Sequence, residues 1–518
     1  MPSITTTVNP GRRTVLIMTS LVLALIPMQL DALVTAPAVP TIAGDLGGFD
    51  KIAWITTSYL LTMAIGMVAS GRVGDMFGRR NVLVTALLVF LGGTMWAALS
   101  GDMTALIVGR AIQGLGAGMT FTSVLASVAD VAPPEKRAKY QAVFGAVAPF
   151  SMIAGPWAGG LVTDHLGWRW IFWLNTPIVV LALVGVLLML RLPRRRTGGR
   201  VDLPGMAALS LASAGLTLGA SWGGQYGWAS GHVLIAAITG AVGIVGVWYA
   251  ERRAPQPILP LNLFTNRAVL MSFVVMFLGT GAVMMSAVAY LPVFLQIVQG
   301  ESASSSGLLL LPMLLPAIAT ALGIGRWTTR SSRFRPVLIA GAVLLALGCS
   351  LLATVGTTTP LWQASAWMIL TGAGVGMLMQ TPLVLVQNTA PRHEIGAATG
   401  SASFLRMIGG AIGVGVLGSA FVNRFASQVS GAGVPGTAGL DIANVGPDRL
   451  QTLSPAAHEA VLDAAASANS QLFWIAALLA VLAVVAALVT PRSGVSGPSP
   501  EEAAPADERD PAVAAVES

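Results

Sequence analysis

The sequence predicts an all-α membrane protein that crosses the bilayer fourteen times. The 518 residues are 54% hydrophobic and only 10% charged, with a mean hydropathy of +0.75, whereas soluble domains carry about 25% charged residues. Fourteen segments hold the roughly 20 mostly apolar residues that a bilayer span needs. Lysine and arginine concentrate in alternate loops between these segments, as expected of a polytopic chain.

The predicted spans follow one another with short loops. The first run is too long for the apolar core of a signal peptide, so we expect it to be retained. The seventh and eighth are separated by SWGGQYGWAS, a turn-forming stretch with interfacial Trp222 and Trp228. The spans are 14–39, 51–70, 81–100, 104–128, 140–163, 170–191, 203–222, 230–249, 269–291, 303–324, 336–356, 361–388, 399–421 and 470–490.

The orientation follows from the basic residues. The side that holds both termini carries 23 of the 29 lysines and arginines, and the opposite side carries four. Arg110 and Arg406 lie inside spans. Because positive residues are retained in the cytoplasm, both termini are predicted to be cytoplasmic.

Composition also excludes several classes of site. Cys349 is the only cysteine, and the four histidines are scattered over loops, so no disulfide or zinc cluster is expected. No GxxxxGK[ST] motif is present, which argues against ATP as the energy source. The net charge of +7 resides in short loops and therefore indicates topology rather than nucleic-acid binding. We expect neither a cofactor nor a metal.

Five regions are predicted. Residues 1–13 form a cytoplasmic tail, and the fourteen spans are divided between two six-helix bundles with two helices inserted between them. The Pro/Ala-rich C-terminal tail is predicted to be disordered. The remaining ranges are 14–191 for the first bundle, 192–250 for the inserted helices and their linkers, 251–490 for the second bundle with an external loop at 425–469, and 491–518 for the tail. Within that loop, Pro455–Ser470 could form a short surface helix.

Asp31 is the acidic residue that this span assignment leaves inside the membrane. A carboxylate at membrane depth is costly unless it is paired, hydrated or protonated, and it therefore indicates a functional site. We predict that Asp31 binds a proton. The alternative is a structural hydrogen bond between helices.

Arg110 and Gln113 are the predicted partners of this carboxylate. Asp31 lies eight residues before the outer end of the first span and Arg110 six residues after the outer end of the fourth, so their depths agree at 1.5 Å per residue. A guanidinium favours the ionised carboxylate and burial favours the neutral acid. Gln113 lies one turn from Arg110 on the same face. A permanent structural ion pair is the alternative.

Other residues are candidates for a transport cavity. Gln29 and Tyr59 are polar and lie near the level of Asp31. Arg406 lies closer to the cytoplasmic end, where it could snorkel, line the cavity or meet an anionic group of a substrate. The many methionine and aromatic side chains would suit loosely defined apolar ligands.

The loops after the second and tenth spans are similar. The first reads GRVGDMFGRR (Gly71–Arg80) and the second GRWTTRSSRFR (Gly325–Arg335). Both follow the second span of a set of six if spans seven and eight are an insertion. This is expected of two halves related by an axis along the membrane normal.

Together these motifs resemble the fourteen-helix drug:proton antiporter branch (EmrB/QacA-like) of the major facilitator superfamily, over nearly all of residues 14–490. The departures are Leu33 and Ala36, where the family carries Thr and Asn. The resemblance rests on Leu30-Asp31 through Pro40, on Gly71, Asp75, Gly78, Arg79 and Arg80, on Arg110, Gln113, Gly114, Gly116 and Gly118, on Gly145 with Gly155, Pro156, Gly159 and Gly160, on Trp168–Ile178 and on Tyr290–Gly300.

The resemblance implies a major facilitator fold and roles for two of these motifs. In the loop Gly71–Arg80, Asp75 would sit at the start of a helix of the second half, here the thirteenth span, and hold a cytoplasmic gate shut. Arg79 and Arg80 are also explained by an ordinary positive loop. The antiporter motif Gly155–Gly160 would form a close contact between the halves that resists leak.

The function expected from the sequence is proton-coupled export of lipophilic small molecules, including antibiotics, across the cytoplasmic membrane by alternating access. The alternatives are a dedicated exporter of one endogenous metabolite or lipid, and a non-transporting sensor. No clustered His, Asp or Glu side chains indicate an enzyme. The partners expected are the substrate, protons and the lipid bilayer, with no nucleic acid and a monomeric chain. The need for a periplasmic adaptor stays open.

Overall fold

A computed structural model describes residues 10–35, 38–46, 52–132, 140, 143–144, 147–190, 202–254, 259–299, 309–331, 333–391, 394–432, 434 and 453–491. Within these ranges the chain is helical and contains no strand. The predicted tails, the loop 133–139, the linker 191–201 and Gly145 fall wholly or mainly outside them, as does the middle of the loop 425–469.

Each of the fourteen predicted spans overlaps a helix in the part of the chain that the structure describes. In chain order the elements are α1 (Pro10–Thr35), α2 (Val39–Leu46), α3 (Ile52–Phe77), α4 (Arg79–Ala98), α5 (Met103–Val131), α6 (Val147–Leu166), α7 (Arg169–Met189), α8 (Leu203–Tyr226), α9 (Gly231–Arg253), α10 (Asn262–Thr265), α11 (Arg267–Val275) continued by a π-helix (Met276–Val283) and α12 (Met284–Val298), α13 (Leu311–Ser331), α14 (Phe334–Leu352), α15 (Leu361–Thr389), α16 (Ile395–Gly431) and α17 (Pro455–Val489).

Ten of these helices are long and apolar enough to cross a membrane, taking α11, the π-helix and α12 as one and counting only the described residues. Shorter apolar stretches at 204–220 and 311–324 belong to α8 and α13. Together with α3 and α6, these stretches occupy the remaining predicted positions. The all-helical fold class is therefore confirmed.

Two boundaries differ from the predictions. The first span ends at Thr35, and the short helix α2 follows it. At the other end of the chain, α16 runs to Gly431 and α17 begins at Pro455, so the predicted external loop 425–469 is shorter. The predicted surface helix Pro455–Ser470 is the first half of α17, because its alanine-rich face, including Ala464 and Ala468, is buried against the bundle.

The two halves repeat one packing arrangement. In α5, two glycines lie against the backbone of α3 and a third lies against α4. In α15, two glycines lie against α13 and a third against α14 in the same way. A side chain at any of them would overlap the facing backbone, so small residues permit this close approach. The two sets are Gly114, Gly118 and Gly116 in α5, and Gly372, Gly376 and Gly374 in α15.

The related loops after α3 and α13 also make matching contacts. Arg80 donates from Nη2 to the carbonyl oxygen of Leu187 near the end of α7, at 2.7 Å. Arg335 donates from Nη2 to the carbonyl oxygen of Leu488 near the end of α17, at 2.6 Å. A cation at a helix carboxyl end is stabilised by the helix dipole. The internal repeat seen in the sequence therefore extends to side-chain contacts.

The inserted helices α8 and α9 pack against each other and against both halves. Ala64 and Val68 of α3, Leu209 of α8, Val247 of α9 and Phe404 of α16 belong to one buried apolar cluster. The inserted pair thus covers a seam where α3 of the first half meets α16 of the second.

Candidate functional site

A buried polar cluster of the first half surrounds Asp31, which is 1% exposed. α1 supplies Asp31, α5 supplies Arg110 and Gln113, and α7 supplies Asn175. Asp31 Oδ2 accepts from Arg110 Nη1 in an ion pair. Its Oδ1 accepts from Gln113 Nε2 at 2.9 Å and from Asn175 Nδ2 at 3.1 Å. The predicted meeting of Asp31, Arg110 and Gln113 therefore occurs.

The Arg110 guanidinium is fully buried and held from several sides. Nη1 also donates to Gln113 Oε1 at 2.7 Å, and Nε donates to the carbonyl oxygen of Ile55 at 3.3 Å. The guanidinium carbon lies 4.3 Å from the centroid of the Tyr59 ring, a cation–π contact. The Tyr59 hydroxyl donates to the carbonyl oxygen of Met28 at 3.0 Å. Tyr59 therefore supports the ion pair instead of lining open space.

Asn175 and Thr94 complete the cluster, and the sequence argument missed both. Thr94 Oγ1 accepts from Gln113 Nε2 at 2.9 Å. Asn175 lies in the run WRWIFWLNTPI, where an amide among apolar residues was the available signal.

In this arrangement, protonation of Asp31 would remove its ion pair with Arg110. The ionised carboxylate of Asp31 is satisfied by three donors, whereas a protonated carboxyl group would lose the charge that holds Arg110. A buried charge that loses its partner is destabilised by several kcal/mol. A change in the protonation of Asp31 would therefore change the packing of α1 against α5.

A second polar cluster joins the two halves at the other end of the bundle. Asp75 of α3 accepts from the backbone N–H groups of Gly396 and Ala397, at 3.2 and 3.0 Å. These groups open α16, the predicted thirteenth span. Arg79 Nη2 lies 2.8 Å from Asp75 Oδ1, and Arg79 Nε pairs with Asp130 at the end of α5. Asp130 was not predicted.

Glycines bring the helices of this second cluster together. The backbone of Gly71 lies against that of Gly396, and a side chain at either position would overlap the other backbone. Gly78 adopts φ +92°, a left-handed conformation that favours glycine, in the turn between α3 and α4. We call the contact of Asp75 and Arg79 with the start of α16 the latch.

Two glycines of the predicted antiporter motif contact a helix of their own half. Gly155 and Gly159 of α6 lie against Leu33 and Val34 of α1, directly after Asp31. For these two glycines the observed contact lies within the first half, because both face α1. Pro156 and Gly160 lie in the same helix, but their surroundings fall outside the described part of the chain.

A small cavity lies between the Asp31 cluster and the latch. Its volume is about 20 Å³, enough for about one water molecule. Gln29 of α1 and Arg406 of α16, both predicted cavity residues, line it together with Gln380 and Ser403. Apolar side chains of both halves form the rest of the wall.

No group of three or more His, Cys, Asp or Glu side chains among the described residues is placed to hold a metal ion.

Comparison with known families matches residues 21–414 to the Major Facilitator Superfamily. The chain is 33% identical to the multidrug transporter protein MdtP of Bacillus subtilis over 428 residues, which are 82% of this chain and 78% of that protein. It is 31% identical to multidrug resistance protein 3 of the same organism over 495 residues, 93% and 96% of the two chains. The solved proton:xylose symporter XylE superimposes with a TM-score of 0.58 at 16% identity over 94% and 98% of the chains, a likeness of fold alone.

Proposed function

Because the chain belongs to the Major Facilitator Superfamily and is a transporter rather than an enzyme, we propose that it exports lipophilic small molecules in exchange for protons. The single observation that carries the proposal is the buried ion pair between Asp31 and Arg110. Titratable acids at membrane depth are rare in proteins and characteristic of proton relays. Relatives named multidrug transporters support the export of small molecules.

In this proposal the protein lies in the cytoplasmic membrane, and both of its termini lie in the cytoplasm. The excess of basic residues on one side supports it. In this orientation the latch lies at the cytoplasmic end and the Asp31 cluster nearer the outer end. The structure then corresponds to a state whose cytoplasmic side is closed.

The proposed cycle starts when a proton from outside binds Asp31. The neutral carboxyl group releases Arg110, the helices α1 and α5 repack, and substrate affinity falls. Release of that proton toward the cytoplasm restores the ion pair and the substrate site. One pH unit supplies about 1.4 kcal/mol per proton and 100 mV about 2.3 kcal/mol, the scale of a buried ion pair.

The latch would hold the cytoplasmic side closed during part of this cycle. Asp75 contributes its charge to the amino terminus of α16, and such a contact is worth about 0.3–1 kcal/mol at a surface and up to about 2 kcal/mol when partly buried. The contact must break whenever the cytoplasmic side opens. A latch of this strength closes the gate without arresting transport.

The proposal is tested by proton movement in everted membrane vesicles. Adding a transported dye or antibiotic should collapse a preformed pH gradient, and Asp31→Asn should abolish this response. Asp45→Asn, at an exposed acid outside the cluster, is the matched control and should behave as the parent. Coupled transport by the Asp31→Asn variant at the parental rate would remove Asp31 from the mechanism.

A further inference from the structure

The small cavity carries unpartnered polar groups that the proton cycle does not use. Ser403 is 1% exposed and Gln380 7% exposed. Neither Ser403 Oγ nor Gln380 Oε1 has a hydrogen-bond partner in the structure. Buried polar groups are almost always satisfied, so such groups call for an explanation.

Arg406 is a charged residue in the wall of the same cavity. It lies eleven residues into α16, about 16 Å along the helix axis, and faces the cavity. None of the acids that the structure describes lies within salt-bridge distance of Arg406. Its guanidinium carbon is 5.3 Å from the centroid of the Phe121 ring, a cation–π contact.

The surroundings of Arg406 differ from those of Arg110, which has a carboxylate, an amide and an aromatic ring around it. An arginine inside a membrane protein pairs with an acid or a carbonyl unless it faces a water-filled path or a ligand. Its planar fork matches a carboxylate or another oxyanion in particular. The guanidinium of Arg406, which faces the cavity, therefore has the chemistry to bind an anion.

The rest of the wall indicates what accompanies the anion. Phe121 and Leu25 approach from the first half, and Met276, Met379 and Leu383 from the second. Methionine and phenylalanine walls accommodate apolar rings of varied shape. Gln380 Oε1 offers an acceptor and Ser403 a hydroxyl, so a hydroxyl or amide N–H on the ligand would be satisfied as well.

The helix that carries Met276 departs from α-helical geometry at this level. The π-helix Met276–Val283 packs on α16 where Gly281 approaches the backbone of Arg406 and Gly409. Short π-helical segments occur frequently at functional sites. A cavity of about 20 Å³ must widen to admit a ring system, and its walls come from both halves, which move apart in alternating access.

We infer that this cavity binds an amphipathic organic anion, with a carboxylate or similar oxyanion on Arg406 and an apolar ring against Phe121 and the methionines. The inference rests on the proposed export function and narrows its substrate class. Asp31 then serves the proton and Arg406 the substrate, about three helical turns apart in depth along α5, from Arg110 to Phe121.

Three probes with one ring system and different charges test the inference. Binding of 2-naphthylacetate, 2-naphthylacetamide and (2-naphthylmethyl)trimethylammonium to the purified full chain in lipid nanodiscs is measured by calorimetry, with empty nanodiscs as the background. We expect the anion to bind at least tenfold more tightly than the amide, about 1.4 kcal/mol, and the ammonium to bind most weakly.

Variants locate the preference. Arg406→Gln should remove the advantage of the anion while retaining binding of the amide. Arg424→Gln, the same change at an exposed arginine of the same helix, should keep the parental preference. If Arg406→Gln does not fold, two other measurements test the inference. The parent should prefer the anion, and Ser403→Ala should bind the anion severalfold more weakly than the parent does.

The inference is overturned if the parent binds the amide or the ammonium as tightly as the anion, binds none of the probes, or keeps its preference in Arg406→Gln. Proton exchange is measured separately in proteoliposomes with the same probes. Exchange of the ammonium or amide for protons without anion preference would refute the substrate class and leave the proposed function standing. Anion binding through Arg406 without proton exchange would refute the proposed function and leave the site standing.

Discussion

At the scale of single residues, neighbouring side chains contact both members of the Asp31–Arg110 pair. Gln113 contacts both members, Asn175 contacts the carboxylate and Tyr59 stacks against the guanidinium. Taking two charges out of water is costly, and removing only one of them leaves the other uncompensated. The two residues should therefore behave as one unit.

We predict strong coupling between substitutions at this pair. Asp31→Asn or Arg110→Gln alone should destabilise the protein by about 3–5 kcal/mol, because each leaves one buried partner unsatisfied. The double variant should lose less than the two single losses together, by about 1–3 kcal/mol. Thermal unfolding in detergent, followed by intrinsic fluorescence, measures these differences.

The matched control is the exposed pair of Arg169 and Asp45, whose closest atoms are 3.3 Å apart. Water already solvates both partners, so Arg169→Gln and Asp45→Asn should show little or no coupling. Simple additivity at the buried pair as well would contradict the view that Asp31 and Arg110 form a unit.

At the scale of helices, the latch depends on where α16 begins. Its first backbone N–H groups have no partner within the helix, and Asp75 of α3 accepts from two of them. Glycines at the crossing allow the backbones of α3 and α16 to meet. One carboxylate thus connects the start of a second-half helix to the end of a first-half helix.

We predict that Asp75→Asn opens this end of the protein more often. The amide keeps the shape of the side chain but loses the charge on the helix terminus and the ion pair with Arg79. Ser70, which is 1% exposed, can be changed to cysteine in a Cys349→Ala background as a reporter. Its reaction with N-ethylmaleimide should accelerate about two- to fivefold, the effect of 0.3–1 kcal/mol.

Asp102→Asn is the control for that measurement. Asp102 accepts from the backbone N–H of Ala105 at 2.9 Å and caps α5 at the opposite end of the bundle. The substitution preserves an N-cap residue and should leave labelling at position 70 unchanged. Equal labelling rates in the parent and Asp75→Asn would mean that the latch does not hold the gate.

At the scale of the whole molecule, functional groups occupy successive layers along the bundle axis. α5 passes through all of them, with Arg110 near one end, Phe121 at the cavity and Asp130 at the latch. The same helix therefore contacts the proposed proton site, the proposed substrate site and the gate. Movement of one rigid helix is a physical route for coupling among the three.

We expect the pH dependence of transport to arise in the layer that holds Asp31. Asp45 lies beyond the cluster on the short helix α2, and hydrogen bonds from Trp168 and then Arg169 hold its pKa below the ordinary value of 3.8. This carboxylate stays ionised above its ordinary pKa, and its contacts are lost only as pH falls through the lowered value. Asp45→Asn should therefore leave the pH profile of transport between about pH 5 and 8 unchanged.

Initial rates of substrate uptake into everted vesicles check this expectation. The pH is varied in the vesicle lumen, which corresponds to the outside of the cell. The parent and Asp45→Asn should share one midpoint. A midpoint moved by Asp45→Asn would assign part of the pH response to the surface and not to the Asp31 layer.

The sequence by itself determined the helical class and the meeting of Asp31 with Arg110, and it predicted fourteen apolar segments that each overlap a described helix. It could do so because apolar length and helical rise give depth in a membrane directly. Resemblance to a family placed Asp75 at the start of the thirteenth span, where the structure has it.

The tertiary structure alone decided what depth cannot specify, namely the direction in which each helix faces its neighbours. Asn175, Thr94 and Asp130 join their clusters from three different helices, and Gly155 turns toward α1 instead of the second half. The position of Arg406 in the wall of the small cavity depends likewise on how α16 rotates against α5 and α15. Rotation about a helix axis is set by side-chain packing across helices, which a linear pattern of apolar residues does not encode.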